Sequence, residues 1–142
     1  MNRGDCAKVM RRINAHHGNA PISAEQLEIF REDLDPTITF QEANAAVGEY
    51  YRNHTSGRWM SAGDINLMVK ADRRKRMPSE DQVNQMVAQL GMVDGDAIWQ
   101  FRRSLYLACG RGLSVETAVG EAIEAARHPL LTATSFKAIG RR

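Results

Sequence analysis

Residues 23–51 read SAEQLEIFREDLDPTITFQEANAAVGEYY and contain two helix start signals. Ser23 lies three residues before Gln26, and Thr39 lies three residues before Glu42. This is the spacing of a capping box, in which the hydroxyl accepts from a first-turn backbone amide and the longer side chain accepts from the capping residue's own amide. The stretch therefore predicts two consecutive helices, one beginning after each hydroxyl residue.

The apolar residues after both start signals recur three or four positions apart, as they do on one face of an amphipathic helix. Proline cannot continue a helix, so Pro36 predicts that the first helix ends before Asp35. The second helix is expected to run to about His54. The apolar positions are Leu27, Phe30 and Leu34 in the first helix and Phe40, Ala43, Val47, Tyr50 and Tyr51 in the second.

The same signals continue on both sides of this stretch and predict five further helices. Ser61, Ser79 and Ser114 have the residue type and position of helix caps, and Gly91 and Gly110 follow the last apolar residues of two segments. No segment alternates strictly between apolar and polar residues, and aromatic residues are 6% of the chain, which argues against a sheet. We predict an all-α bundle of six to seven short helices, the further five lying over residues 5–15, 61–76, 79–90, 94–110 and 114–128.

Loop signals between the helices predict the domain organisation. We expect two helical units, because short connections favour neighbouring helices that pack together. The expected division is an N-terminal helix and linker over residues 1–21, a helical domain over 22–77, a second helical unit over 78–129 and a flexible basic tail over 130–142.

Composition excludes several classes of protein. The two cysteines, Cys6 and Cys109, are far apart, which argues against a disulfide scaffold or a structural zinc site. Neither a signal peptide nor an apolar stretch long enough to span a membrane is present in the sequence. These features favour a protein of a reducing cytoplasm, without a membrane partner.

Reactive side chains do not form a recognisable catalytic pattern. The sequence has no phosphate-binding loop, no dinucleotide-binding glycine pattern and no hydrolase or metalloprotease motif. The histidines His16, His17, His54 and His128 have no metal-site spacing, and we interpret them as exposed or capping residues. We therefore predict no enzyme activity, no catalytic or metal-binding residue, no cofactor and no small-molecule substrate.

Charge is distributed unevenly, although the net charge is only +2. Residues 25–49 contain seven acids and one base, whereas residues 70–76 contain five bases and one acid. Cations at a helix C-terminus complement the helix dipole, so the basic run has a structural interpretation as well as a functional one, which is contact with phosphates or with an acidic protein. The candidate binding residues are Lys70, Arg73, Arg74, Lys75 and Arg76, joined by Arg102 and Arg103 if the fold brings them together.

A helix-turn-helix interpretation of residues 40–76 is disfavoured. That motif joins its helices by three or four residues, and the segment from His54 to Ser61 is longer. We predict instead that Trp59 anchors this loop in the core, and that one ring of the Tyr50-Tyr51 pair is buried and the other lies near the surface.

Residues 22–76 resemble a known family. The resemblance is carried by ISAEQLEIFREDL (22–34), DPTITFQEA (35–43), ANAAVGEYYRNH (43–54) and RWMSAGDI (58–65), followed by a basic helix. This order is similar to that of the small helical replication proteins of tailed phages that load or inhibit the DnaB-type replicative helicase. The resemblance implies a non-catalytic replication accessory protein that binds the hexameric helicase, with Tyr50, Trp59, Asp64 and Ile65 as scaffold residues.

Two functional hypotheses follow. In the first, the protein binds the replicative helicase through an exposed apolar patch between Ile98 and Cys109, beside Arg102 and Arg103. In the second, it is a small DNA-binding protein whose basic run, Lys70 to Arg76, contacts phosphates, so its affinity would fall steeply with salt.

Overall fold

The computed structural model describes residues 1–127, which form seven α-helices and no strand. The predicted all-α fold is confirmed, and the predicted tail over residues 130–142 lies outside the described residues. The helices are α1 (Arg3–Ala15), α2 (Ala24–Asp33), α3 (Phe40–Asn53), α4 (Ala62–Lys75), α5 (Glu80–Gln89), α6 (Gly95–Gly110) and α7 (Val115–Arg127).

The helices begin where the capping residues predict. Complete capping boxes, with both reciprocal hydrogen bonds, start four of them, at Ser23, Thr39, Ser61 and Ser79. Helix α1 begins two residues earlier than the predicted Asp5, because the Asn2 side chain accepts from the Asp5 amide at 2.8 Å and caps it. Short-range side-chain bonds thus fix where each of these helices begins.

Glycines with positive φ lie just beyond two of the helices. Gly91 follows α5 with φ 63°, and Gly112 follows α6 with φ 98°. These angles are in the left-handed region, where a side chain would be strained. Helix α6 therefore ends at Gly110, close to the predicted position, and Gly112 rather than Gly110 takes the left-handed conformation beyond it.

The chain divides into two units, the first comprising Met1–Arg76 and the second beginning at Met77. Helix α1 belongs to the first unit, because its side chains Cys6, Val9 and Ile13 are buried in the same core as those of α3 and α4. The predicted boundary between residues 21 and 22 therefore falls inside this unit.

Each unit has its own apolar core. In the first unit, α1 packs against α2 and α3, and α4 packs against α2 and α3. In the second unit, α6 lies along α7, and Val83 of α5 contributes to the same core. The buried residues of the first core are Cys6, Val9, Ile13, Leu34, Ile38, Ala43, Ala46, Val47, Tyr50, Met60, Ala62, Ile65 and Val69, and those of the second are Val83, Phe101, Leu105, Ala108, Cys109, Ala118, Ala122 and Ala126.

Candidate binding surfaces

Arg73 does not belong to an exposed basic surface. Its side chain is only 5% exposed, and its Nε and Nη2 donate to the two carboxylate oxygens of Glu42, each at 2.8 Å. It also donates to the Thr37 hydroxyl and carbonyl oxygens, both at 2.9 Å. The prediction that Arg73 binds a partner or nucleic acid is therefore wrong. The physical reason is helical spacing, because position 73 continues the buried row of Ile65 and Val69 at intervals of four.

The remaining basic residues of α4 differ in their surroundings. Arg76 forms ion pairs with Glu42 at 3.5 Å and with Asp72 at 3.2 Å. Lys70, Arg74 and Lys75 are exposed, and no carboxylate within residues 1–127 pairs with them. The cationic surface at this end of α4 therefore consists of three free side chains and one paired side chain.

Glu42 has an unusually acidic carboxyl group. Partial burial works to raise its pKa, but hydrogen bonds from Arg73 and from the amide and hydroxyl of Thr39 outweigh burial and lower the pKa to about 2, from an ordinary 4.5. The carboxylate thus caps α3 and binds Arg73 at once. A pKa lowered in the folded state means that protonation of Glu42 opposes folding.

This pKa predicts how stability depends on pH. The contribution of Glu42 is fully present above pH 4.5 and is lost as the pH falls from 4.5 to about 2. Over that interval the free energy of unfolding of the natural protein should fall more steeply with decreasing pH than that of Glu42→Gln. The difference between the two slopes is up to about 1.4 kcal/mol for each pH unit. Urea unfolding of both proteins at pH 7, 5, 4 and 3 measures this difference. Parallel pH curves for the two proteins would contradict the role of Glu42.

The four scaffold residues have different environments. Tyr50 and Ile65 are buried in the first core, and the Tyr50 hydroxyl donates to the Arg58 carbonyl at 3.3 Å. Asp64 completes the capping box of α4 and pairs with Arg58 Nη2 at 2.7 Å. Trp59 is 49% exposed, so its predicted role as a core anchor is wrong. The adjacent Met60 is the buried residue of this loop.

Trp59 instead belongs to an aromatic stack with the end of α1. Its ring lies parallel to that of His17 with centroids 4.3 Å apart, and His17 Nε2 lies 2.8 Å from the Tyr51 hydroxyl. Tyr51 stacks on His16 at 4.0 Å and its hydroxyl accepts from the Met60 amide at 3.2 Å. These contacts link residues far apart in sequence, and the interpretation of the histidines as merely exposed or capping missed them.

Helix α6 has a buried face and an exposed face. Phe101, Leu105, Ala108 and Cys109 are buried in the second core, so the predicted exposed patch from Ile98 to Cys109 is wrong for these four residues. They face the small side chains of α7, which allow α6 to approach closely. The apolar residues exposed on α6 are Trp99 and Leu107, at 56% and 53%.

Arg103 lies between these two exposed residues on the same helix face. The residues 99, 103 and 107 are four positions apart, which places them in one row along α6. The Arg103 guanidinium carbon lies 5.5 Å from the centroid of the Trp99 ring, in a cation–π contact. We call Trp99, Arg103 and Leu107 the outer face of α6.

Arg102 has a structural role that its sequence position did not reveal. Its guanidinium donates to Glu80 at 2.7 Å and to the side-chain oxygen of Asn84, and the Tyr106 hydroxyl donates to the other oxygen of Glu80 at 3.0 Å. These bonds attach α6 to α5. Arg102 and Arg103 lie in the second unit, whereas the basic run from Lys70 to Arg76 lies in the first.

Reactive groups in the described residues are buried or scattered. Burial raises the pKa of the thiols of Cys6 and Cys109, which disfavours the reactive thiolate form. Within residues 1–127 no group of three or more histidine, cysteine, aspartate or glutamate side chains could hold a metal ion. Over the same residues, no helix combines the length and apolar character required to cross a membrane.

Comparison with known proteins gives no match. No protein-family model, curated protein or solved structure is significantly similar to this chain.

Proposed function

We propose that this protein is a non-catalytic accessory protein that binds another protein through the outer face of α6. The observation that carries the proposal is the exposure of Trp99, 56%, on a helix whose opposite face is anchored in a core. Tryptophan is enriched at protein–protein interfaces, because its large ring supplies apolar contact area together with one N–H donor.

The composition of this face is typical of a binding hot spot. Tryptophan and arginine are the residue types most enriched among those whose loss weakens protein–protein binding. Arg103 contacts the Trp99 ring and restricts its motion, so less side-chain entropy is lost when a partner binds. Within residues 1–127 no carboxylate pairs with Arg103, which leaves its charge available to an acidic group of the partner.

The replicative helicase of the bacterial host is the partner we propose. What supports it is the resemblance of residues 22–76 to phage-type loaders and inhibitors of the DnaB-type helicase. The protein would then act in DNA replication in the cytoplasm, as a phage or prophage accessory that loads or inhibits the helicase.

DNA binding is the second candidate function. The observation that favours it is the group of three exposed cations, Lys70, Arg74 and Lys75, without carboxylate partners in the described part of the chain. Three phosphate contacts would give a slope of log affinity against log salt of about −2.7, since each neutralised phosphate contributes roughly −0.9. Arg73 is excluded from this surface by its burial.

The variant Trp99→Ala tests the proposed function. We expect it to weaken binding to the purified hexameric helicase by at least about 30-fold, the effect of losing a hot-spot side chain. The matched control is Trp59→Ala, which removes a similarly exposed tryptophan from the first unit and should leave the affinity unchanged. Isothermal titration calorimetry at two salt concentrations measures both variants, and the natural protein's affinity should survive moderate salt.

Two outcomes would contradict the helicase proposal. One is no binding of the natural protein to the helicase. The other is equal affinity of Trp99→Ala and the natural protein. Retention of duplex DNA that is lost in the triple variant of Lys70, Arg74 and Lys75 to alanine would support the second candidate instead.

A further inference from the structure

Two arginine side chains meet over Gly48, a buried residue of α3. A Cβ atom at this position would lie only 2.7 Å from Nη2 of Arg12, which comes from α1, and 3.6 Å from Nη1 of Arg52, which lies one turn further along α3. Because glycine has no side chain, the two guanidinium groups come together directly above the helix backbone. The result is a pair of positive charges at the place where α1 packs against α3.

Arg12 is held in this position by α3. Its Nη1 donates to the backbone carbonyl oxygen of Asn44 at 2.8 Å and also to the Asn44 side-chain oxygen. These bonds occupy one nitrogen of the guanidinium group and leave Nη2 beside Gly48 and near Arg52. A donor that is already positioned loses less side-chain entropy when a ligand binds.

No carboxylate within residues 1–127 forms an ion pair with either of the two arginines. Glu49 is close to them in sequence, but it borders the groove on the other side of α3, together with Asp72 of α4. Asp5 of α1 pairs with Lys8 at 3.8 Å. The two guanidinium charges therefore repel each other, and an anion bound to both would offset that repulsion.

The shape and charge of the pair favour a phosphate group. A guanidinium group presents planar N–H donors whose spacing fits two oxygens of a phosphate or a carboxylate. Two such groups carry two positive charges. A phosphate monoester, with a charge of about −1.5 to −2 at pH 7, matches them better than a carboxylate or a phosphate diester, which carries a single charge.

We propose that Arg12 and Arg52 form a binding site for the dianionic phosphate group of a phosphate monoester. The phosphate oxygens accept from Nη2 of Arg12 and from the guanidinium group of Arg52, above Gly48. The site uses neither the outer face of α6 nor the three exposed cations of α4, so it is independent of both proposed functions.

Methyl phosphate and dimethyl phosphate are the probes that test the site. Near pH 7.5, above the second pKa of about 6, the first is mainly a dianion and the second is a monoanion. NMR titration of the full-length protein at constant ionic strength should show saturable shifts of the Gly48 amide and of the Nε–H signals of Arg12 and Arg52 with methyl phosphate. Dimethyl phosphate should bind at least about 5-fold more weakly. The absence of saturable shifts, or equal affinities for the two esters, would overturn the proposal.

Variants of equal charge locate the binding. Arg52→Gln should weaken the binding of methyl phosphate by at least about 5-fold, the effect of losing a charge-assisted hydrogen bond. The matched control is Arg11→Gln, which removes the same charge from an exposed residue of α1 that borders α2. It should leave the affinity within about 2-fold of the natural value. Equal losses in the two variants would show that binding depends on net charge alone, and would refute the site.

Gly48→Ala tests the geometry without changing any charge. The added methyl group would lie 2.7 Å from Nη2 of Arg12 and must displace the flexible end of that side chain. Alanine is a better helix former than glycine, so α3 should stay folded, as circular dichroism would show. We expect methyl phosphate to bind at least about 3-fold more weakly, because Arg12 is no longer positioned. Unchanged affinity would contradict the proposed role of Arg12.

The phosphate group could belong to a small ester or to the end of a nucleic-acid strand, and a short oligothymidylate separates these sources. If the strand end is the natural source, the form with a 5′-phosphate should bind more tightly than the form with a 5′-hydroxyl, and Arg52→Gln should remove the difference. If the source is a small ester, the two forms should bind equally while methyl phosphate still binds.

Discussion

Replacing Arg73 with methionine is expected to lower the free energy of unfolding of the first unit by about 3 kcal/mol. The same replacement of Arg74, the next residue of α4, should change it by less than about 0.5 kcal/mol. The difference follows from burial, because Arg73 is 5% exposed and binds Glu42 through two parallel hydrogen bonds, whereas Arg74 is exposed.

The large effect comes mainly from what the substitution leaves behind. Without Arg73, the Glu42 carboxylate stays half-buried without its bidentate partner, and the Thr37 oxygens lose two donors at 2.9 Å. Leaving a desolvated charge unpaired costs more than the intact pair contributes. Arg73→Lys should restore little of the loss, because a lysine ammonium cannot form the two-pronged contact with both carboxylate oxygens.

Urea unfolding followed by Trp59 fluorescence measures this prediction for the first unit. The Trp99→Phe background removes the fluorescence of the second unit. The double variant with Glu42→Gln should be less destabilised than the sum of the single variants, because the two residues share one interaction. Equal stability of the Arg73 and Arg74 variants would show that the ion pair contributes nothing to folding.

The sequence predicts the helices well because their signals are local. A capping box spans four residues, so the starts at Ser23, Thr39, Ser61 and Ser79 depend on nothing distant in the chain. The left-handed glycine after α5 is equally local. The all-α fold and the order of its seven described helices could therefore be predicted from sequence.

The candidate surfaces could not be predicted in the same way, because they depend on which direction a side chain faces. In the run from Lys70 to Arg76 only the spacing of Ile65, Val69 and Arg73 indicates that one of the five cations points inward. That signal is easily overlooked, because buried arginine is rare unless it is paired. Its partner Glu42 lies 31 residues earlier in the chain, and only the tertiary fold brings them together.

The stack of Trp59 on His17 was missed for a related reason. Both residues lie outside helices, so no periodicity assigns them a face. The two rings come from segments 42 residues apart, and the packing of α1 against α3 brings them together. A tryptophan in a loop therefore does not by itself distinguish a core anchor from an exposed stacking surface.

The second large effect on stability is expected in α6, where the aromatic residues Trp99 and Phe101 lie two positions apart. Phe101→Ala should destabilise the second unit by about 3–5 kcal/mol, the range for removing a fully buried aromatic ring. Trp99→Ala should cost less than about 1 kcal/mol, because the Trp99 side chain is 56% exposed. The apolar sequence of α6 alone does not show which of the two rings is buried. In the structure, Phe101 belongs to the same core as the small residues Ala118 and Ala122 of α7.

Hydrogen exchange of the slowest amides in α6 and α7 measures this second prediction, because those amides report on opening of the second unit itself. Phe101→Ala should accelerate their exchange by at least about 100-fold, since every 1.4 kcal/mol corresponds to a factor of ten. Trp99→Ala should accelerate exchange by less than about 10-fold and yet weaken binding to the proposed helicase partner by at least about 30-fold. Together these results would assign stability to the buried face of α6, which contains Phe101, and partner binding to its exposed face, which contains Trp99. Similar exchange rates in the two variants would contradict this assignment of faces.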